Sequence, residues 1–294
     1  MTTESISARF ESSDNWPTPD LVAGLIESQF AAVAAVQAAT AALAQATDAA
    51  AARLEAGGRL IYMGAGTSGR IAVQDAVELR PTFNWPAERS LALMAGGDGA
   101  LIAAREGAED DEGEAVQVLD AAGCGPQDVV IGVAASGRTP FTVAGVRHAR
   151  GLGALTVGMF NNPGAVLGAV CDIPVLIDTG AEFLAGSTRL KAGTAQKVAL
   201  NAFSTGVMIR LGLVFRGQMV AMRPTNAKLR DRAAEMVARL SGHDAAAGQV
   251  ALDRAGGSIA IATLMLAQGL DAAAAQAAVR AAGGNLARAL GPRA

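Results

Sequence analysis

Short apolar runs recur along the middle of the chain, each followed by a turn rich in glycine or hydroxyl residues and then by a segment of helical period. The clearest case lies between Arg59 and Glu78. Residues 60–63 are continuously apolar, residues 64–69 form a glycine-rich turn, and Ile71, Val73 and Val77 then repeat at helical spacing. Similar runs at 91–94, 129–134, 155–159 and 173–177 predict four more strands, separated by helix-length segments such as the one around 142–151. Five nearly continuously apolar strands with helical connections predict an α/β fold, a doubly wound parallel five-stranded sheet buried on both faces. Ligands of such sheets sit beyond the carboxyl ends of the strands.

The flanks follow other patterns. Residues 1 to about 18 are polar, with Ser12, Ser13, Asp14, Asn15 and prolines at 17 and 19, and predict an arm with no core of its own that packs on a partner. From Pro19 to Ala56 the spacing of Leu21, Leu25, Ile26, Phe30, Val33, Val36 and Leu43 predicts one or two alanine-rich helices. Beyond about 221 the strand pattern stops. A charged amphipathic helix at 227–240 and stretches at 246–253, 258–267 and 272–281, broken by Gly256-Gly257, Gly269 and Gly283-Gly284, predict a small helical bundle. The expected division is 1–56 for the N-terminal arm and helices, 57–221 for the sheet domain and 222–294 for the C-terminal helical region.

Composition narrows the classes. The 294 residues, 51% of them apolar, suffice for one large α/β domain with a helical appendage. A net charge of −3 leaves no basic footprint for nucleic acid. Two cysteines, Cys124 and Cys171, and two histidines, His148 and His243, supply neither a disulfide framework nor a metal site. The first residues lack the basic and apolar segments of a secretory signal. The long uncharged stretches 28–47 and 151–171 are, respectively, mostly alanine and interrupted by Asn161-Asn162-Pro163, so neither reads as a membrane span. A soluble protein of the reducing cytoplasm is expected.

Three turns carry candidate chemistry. Gly64, Gly66 and Gly69 allow a ligand close to the backbone, Thr67 and Ser68 add hydroxyls, and the free N–H groups of the following helix point at the same place, which suits a phosphate. No Lys-Ser/Thr pair follows, so this is not a Walker A loop, and its likeness to the dinucleotide pattern Gly-x-Gly-x-x-Gly is weak by itself. A nicotinamide enzyme is disfavoured further, since no acidic residue follows at a strand end about 20 residues on. The second turn is Ser136, Gly137, Arg138 and Thr139 before Pro140. The third runs over 186–194 and includes Ser187, Arg189 and Lys191; the two cations either steady a ligand or pair with local acids. One such turn alone reads as a helix cap worth about 1 kcal/mol. Three at the strand ends of one sheet point to a binding site.

Two carboxylates stand out, Glu78 and Glu109. Glu109 lies in an acidic run that also reads as a solvated face, and Glu78 is within reach of a salt bridge to Arg80 or Arg70. If the helix from Ser68 runs unbroken to Glu78, ten residues place that carboxylate about 15 Å from the phosphate, too far for a hexose 6-phosphate to span. Either the helix bends or breaks early, or Glu78 serves a site completed by another subunit.

Taken together, Gly64-Ala-Gly-Thr-Ser-Gly-Arg70, Ala95-Gly-Gly97, Glu106-Gly-Ala-Glu-Asp110, Ala135-Ser-Gly-Arg-Thr-Pro140 and the stretch from Gly186 to Lys197 resemble the N-acetylmuramic acid 6-phosphate etherases, which have the sugar isomerase (SIS) fold. The resemblance runs from about Gly58 to Lys228. It implies a cytoplasmic, cofactor-free lyase that removes D-lactate from N-acetylmuramic acid 6-phosphate during recycling of cell-wall sugars, working as a homodimer with its site at or near the subunit interface. By motif, Glu78 matches the family's general acid and Glu109 its second carboxylate; Gly66, Thr67, Ser68, Ser136, Gly137, Arg138, Thr139, Ser187 and Lys191 are the expected substrate-binding residues, and no metal is implied. Where many relatives read Glu-x-Pro-Pro-Thr, this chain has Arg80, a cation that tends to lower the pKa of a nearby acid. The arm also lacks the family's usual Asn-Pro and Ile-Asp signature. The C-terminal helices either cap the site, for instance through Lys228, or support a dimer. Two rivals share the fold: a sugar-phosphate-binding regulator, resembling the glucokinase regulatory proteins but without the match to Glu78, and an aldose–ketose isomerase, which would release no lactate.

Overall fold

A computed structural model describes residues 1–103 and 105–291 of the chain. It divides into two compact units, one formed by Met1–Val77 with Ala87–Thr205, the other by Glu78–Pro86 with the chain from Gly206 onward.

The first unit opens with α1 (Thr18–Ala38) and α2 (Thr40–Glu55) and continues into β1 (Leu60–Gly64) and α3 (Gly66–Phe83), which passes into the second unit at Glu78. Then come β2 (Ser90–Met94), α4 (Glu112–Ala121), β3 (Val129–Val133), α5 (Pro140–Gly151), β4 (Leu155–Phe160), α6 (Val166–Val170), β5 (Ile173–Leu176) and α7 (Lys191–Arg210). The five strands lie within one residue, at each end, of the positions their apolar runs predict. All pair in parallel, in the order β2-β1-β3-β4-β5. The central strands β1 and β3 are buried throughout, as helices on both faces require, whereas the edge strand β5 alternates buried and exposed positions. Chain order reverses between β1 and β3, so the crevice at this switch point opens beyond their carboxyl ends.

Polar anchors fix this unit. The Arg59 guanidinium binds the Asp128 carboxylate at 2.7 Å and donates to the carbonyls of Ala122 and Gly123, tying the entry to β1 to the entry to β3. Burial pushes the Asp128 carboxyl up, but the bonds from Arg59 and from the Gly125 N–H outweigh it and hold the pKa below its ordinary value. Asp75 on α3 is 2% exposed and accepts from the Tyr62 hydroxyl (2.9 Å), the Asn201 amide (2.8 Å) and the Ser204 hydroxyl (3.2 Å). Burial nevertheless leaves its pKa raised.

Residues 1–18, expected to be an arm without a core of its own, are anchored to the first unit. They fold back on their own unit: Thr3 is fully buried, its N–H donates to Asn162 and its carbonyl accepts from the Gly186 N–H at 2.9 Å. Phe10 and Trp16 pack with Phe183. Two aromatic rings spaced along a polar segment supply the apolar contact that the average polarity of the segment conceals.

The second unit holds α8 (Ala227–Ser241), α9 (Ala245–Arg254), α10 (Ile259–Gln268), α11 (Ala272–Ala281) and the short α12 (Leu286–Leu290), which the glycine-delimited reading missed. Asn226, Asp244, Ser258, Asp271 and Asn285 each cap the helix that follows by accepting a backbone N–H. Met236, Val237, Leu252, Ile259, Leu264 and Leu286 form its core.

Among the described residues, α1 alone as a single straight helix is long and apolar enough to cross a membrane by length and composition, with a mean hydropathy of 1.5. Its apolar residues divide between two faces. Ala32 and Val36 are buried, while Val22, Ile26, Phe30 and Val33 form an exposed stripe with Phe30 72% exposed. The helix is also tied to its own chain by polar groups, for Gln29 accepts a 2.7 Å bond from Thr194 and Glu27 pairs with Arg9.

Candidate active site

The site begins with the junction of β1 and α3. Gly64 and Gly69 approach so closely that a Cβ on Gly69 would lie 2.8 Å from the Gly64 carbonyl oxygen, and Gly66 adopts a positive φ of 54°. This tight turn aims the first N–H groups of an 18-residue helix beyond the sheet. Thr67 is half-buried and Ser68 buried on the same turn.

The second turn follows β3. The Gly137 N–H bonds back to Ala134 and the Arg138 N–H donates to the Ser136 hydroxyl at 3.1 Å, which folds the segment over. Thr139 occupies the N-cap position of α5, yet its side chain makes no capping bond. The simple reading of this turn as a helix cap therefore fails at Thr139, which lines a cleft instead.

That cleft, of about 380 Å³, lies wholly within the first unit and is lined by Gly66, Thr67, Ser68, Glu109, Ser136, Arg138 and Thr139, together with residues the sequence did not single out: Met1, Glu4, Asp110 and Thr188 among them. Its size suits a small phosphorylated ligand. The acidic run over 109–114 is sorted by its backbone. Asp111 caps α4 by accepting from the Glu114 N–H at 2.8 Å, and the Glu114 carboxylate accepts from the Gly96 N–H at 3.1 Å. Glu109 and Asp110 remain exposed on a short turn at the cleft, preceded by Gly107 at a φ of 77°.

Other expected residues stand elsewhere. Gly137 is buried beneath its turn, and neither it nor Ser187 lines the cleft; the neighbouring Thr188 does. Lys191 is turned inward, 7% exposed, with its ammonium on the carbonyl of Ala181. Burial lowers its pKa, against the raising effect of Glu182 and Asp178. Glu182, fully buried, accepts from the N–H groups of Lys191 (2.9 Å) and Ala192 (2.8 Å) and so caps α7. The ammonium of Lys191 thus engages a backbone carbonyl, where the sequence offered a sugar ligand or a partner of local acids. Glu78 belongs to the other unit; α3 is unbroken from Gly66 to Phe83 and includes Pro81, so the early helix break that would have brought Glu78 near the turn does not occur. Among the described residues no cluster of histidine, cysteine, aspartate and glutamate could hold a metal, and both cysteines are free.

A parallel sheet of this order, with hydroxyl-bearing turns at its switch point, defines the class: a sugar isomerase type α/β domain. Residues 42–149 match the family model described as the glucokinase regulatory protein N-terminal SIS domain. The protein c3406 of E. coli CFT073, solved as a ligand complex, shares this fold with a TM-score of 0.50 at 19% identity, over 69% of this chain and 97% of that one. Sequence relatives are more specific. The N-acetylmuramic acid 6-phosphate etherase of Deinococcus radiodurans is 52% identical over 91% of this chain and 88% of its own length, and that of Rubrobacter xylanophilus 45% identical over 92% and 90%. The chain belongs to the N-acetylmuramic acid 6-phosphate etherase family.

Proposed function

We propose that this protein is a carbon–oxygen lyase that cleaves the D-lactyl ether of N-acetylmuramic acid 6-phosphate, giving N-acetylglucosamine 6-phosphate and D-lactate in the recycling of cell-wall sugars. The observation that carries this reading, besides family membership, is that one cleft gathers the hydroxyls of Thr67, Ser68, Ser136 and Thr139 beside the carboxylate of Glu109. The hydroxyls and the N–H groups that open α3 receive the phosphate. Gly66 lets the backbone come close to it, Gly137 supports the second turn from beneath, and Arg138 adds positive charge at the rim.

In the open-chain sugar the proton on carbon 2 is acidified by the aldehyde, and the lactyl ether oxygen on carbon 3 is β to that aldehyde. Glu109 removes the carbon 2 proton, the carbon 2–carbon 3 double bond forms, and the carbon 3–oxygen bond breaks with its electron pair going to lactate. Glu78 supplies the proton that the lactate oxygen takes up. Water then adds its hydroxyl at carbon 3 while carbon 2 regains a proton. One base, one acid and water balance every step, each positioned carboxyl contributing roughly 10²–10⁴-fold.

Glu78 acts, in this proposal, in the site of a second copy. Twelve residues along a continuous helix separate it from Gly66, roughly 18 Å, which a bound sugar phosphate does not span. The exposed stripe of Val22, Ile26, Phe30 and Val33 on α1 is the surface we assign to that second copy, since the polar ties of α1 to its own chain suit a helix packed between protein surfaces. The reaction is placed in the cytoplasm.

The test is incubation of the purified protein with N-acetylmuramic acid 6-phosphate in heavy-oxygen water, followed by mass spectrometry. D-lactate together with a labelled aminosugar phosphate is expected. Saturable sugar-phosphate binding with isomerisation, or with no reaction, would replace the lyase by an isomerase or a regulator.

A further inference from the structure

A second recess opens beside the cleft, and the proposed reaction has not yet used it. It measures about 240 Å³ and shares Ala65, Gly66 and Glu109 with the phosphate cleft, so the two adjoin at the proposed base. Its remaining walls combine apolar and charged side chains. Met94, Ala95, Ala100 and Ala108 are apolar, while Arg70 and Arg105 bring two guanidinium groups.

Both cations are built into place. Arg70 donates from Nε to the Leu101 carbonyl (3.2 Å) and from Nη2 to the Ala100 carbonyl (2.8 Å), which fixes the plane of its guanidinium across the recess. Arg105 lies along the turn after β2, and two glycines make room for it. A Cβ on Gly96 would stand 3.0 Å from the Arg105 Cδ, and one on Gly99 only 2.7 Å from its Nη2. This gives a use to the Ala95-Gly-Gly97 motif, whose Gly96 N–H is itself held by Glu114. Neither arginine is spent on an ion pair among the described residues.

The substrate of the proposed reaction carries a second anion besides its phosphate, the carboxylate of the lactyl group, and this group ends in a methyl as well. We infer that the recess is the lactyl subsite: Arg70 and Arg105 bind the lactyl carboxylate and the apolar wall takes the methyl. Guanidinium groups are suited to bidentate recognition of a carboxylate. Glu106 and Glu109 also line the recess and repel an anion, so the lactyl carboxylate is confined to the arginine side. Seated there, the ether oxygen is presented next to the base that starts the elimination.

This inference rests on the proposed etherase activity, and the experiment separates the two. Lactate or lactamide release is measured from N-acetylmuramic acid 6-phosphate and from its lactamide, in which the carboxylate is replaced by a neutral amide, and binding of N-acetylglucosamine 6-phosphate is measured as a control without any lactyl group. The wild-type protein is expected to favour the acid in kcat/KM by about 10–100-fold, the worth of one or two charge-assisted hydrogen bonds. Arg105→Gln should erase most of that preference, chiefly through KM, without changing the amide rate or binding of the control. Gly99→Ala, which keeps every charge but pushes the guanidinium aside, should move the same ratio in the same direction, and Arg70→Lys should lower it by a smaller factor. Equal rates for acid and amide in the wild type would overturn the inference. So would variants that lose acid, amide and control together, because the arginines would then hold the phosphate or only the fold. If the wild type releases nothing from either ether, the etherase reading fails instead; the subsite is then judged by binding alone, with tighter binding of the acid than the amide upholding it and equal binding removing it.

Discussion

Glu109 and Glu78 are both exposed carboxylates, but they stand in unlike places. Glu109 follows a left-handed glycine on a short turn, at the edge of a cleft that its own unit lines completely. Glu78 stands far along an 18-residue helix whose first turn lines that cleft, and it is counted with the other compact unit. A turn can bring a carboxylate to a ligand held at the start of a helix, whereas a rigid helix carries one away at about 1.5 Å per residue. This contrast motivates the proposal that the base comes from the chain whose cleft takes the phosphate and the acid from a second copy.

The most severe test of this contrast is removal of the base. Glu109→Gln is expected to lower lactate release by about 10²–10⁴-fold while N-acetylglucosamine 6-phosphate still binds, and calorimetry alongside the rate assay checks both. Glu78→Gln should lose a similar factor with binding intact; an undiminished rate would remove it from the mechanism. Next in size, Phe30→Glu places a charge in the apolar stripe of α1. It should yield a folded monomer by light scattering and circular dichroism, with activity reduced toward that of Glu78→Gln although both carboxylates are present. Ser136→Ala deletes a single hydroxyl of the residues proposed to hold the phosphate and should raise KM about tenfold with little change in kcat.

The smallest effect concerns how α3 is anchored one turn before Glu78. Burial raises the Asp75 carboxyl pKa against the opposing bonds from Tyr62, Ser204 and Asn201. A carboxyl whose pKa is higher in the folded state contributes stability that is complete below the unfolded value near 3.9 and is lost as pH rises through the folded value. Denaturant midpoints of the wild type should fall over that interval, and the Asp75→Asn profile should lack this component. An unchanged profile would show that the three hydrogen bonds cancel the burial.

Much of this architecture is written locally. Five strands can be read from apolar runs because a sheet covered on both faces needs such runs and little else, and the turns at 64–69 and 136–139 from glycines and hydroxyls that a tight strand-to-helix junction requires. Glu109 was legible as part of a motif, though its separation from Asp111 and Glu114 depends on which backbone N–H each carboxylate meets. The seat of residues 1–16 was not legible, because it depends on long-range pairings of Thr3 with Asn162 and of Phe10 and Trp16 with Phe183. For the same reason Glu4 was missed in the cleft lining. Thr188 was missed in favour of Ser187 because a hydroxyl pair in a turn does not reveal which member faces inward. Lys191 looked like a ligand for the sugar, and only the path of the chain around Glu182 shows its ammonium engaged with Ala181.

The shared site is tested most directly by subunit complementation. Glu78→Gln and Glu109→Gln chains, each inactive alone, are co-expressed in equal amounts and the mixed dimers assayed for lactate. If each site takes Glu109 from one subunit and Glu78 from the other, every mixed dimer has one intact site, and random pairing restores about a quarter of wild-type activity. If both carboxylates act within one chain, every site keeps a defect and the mixture stays as inactive as its parents, which would contradict the account.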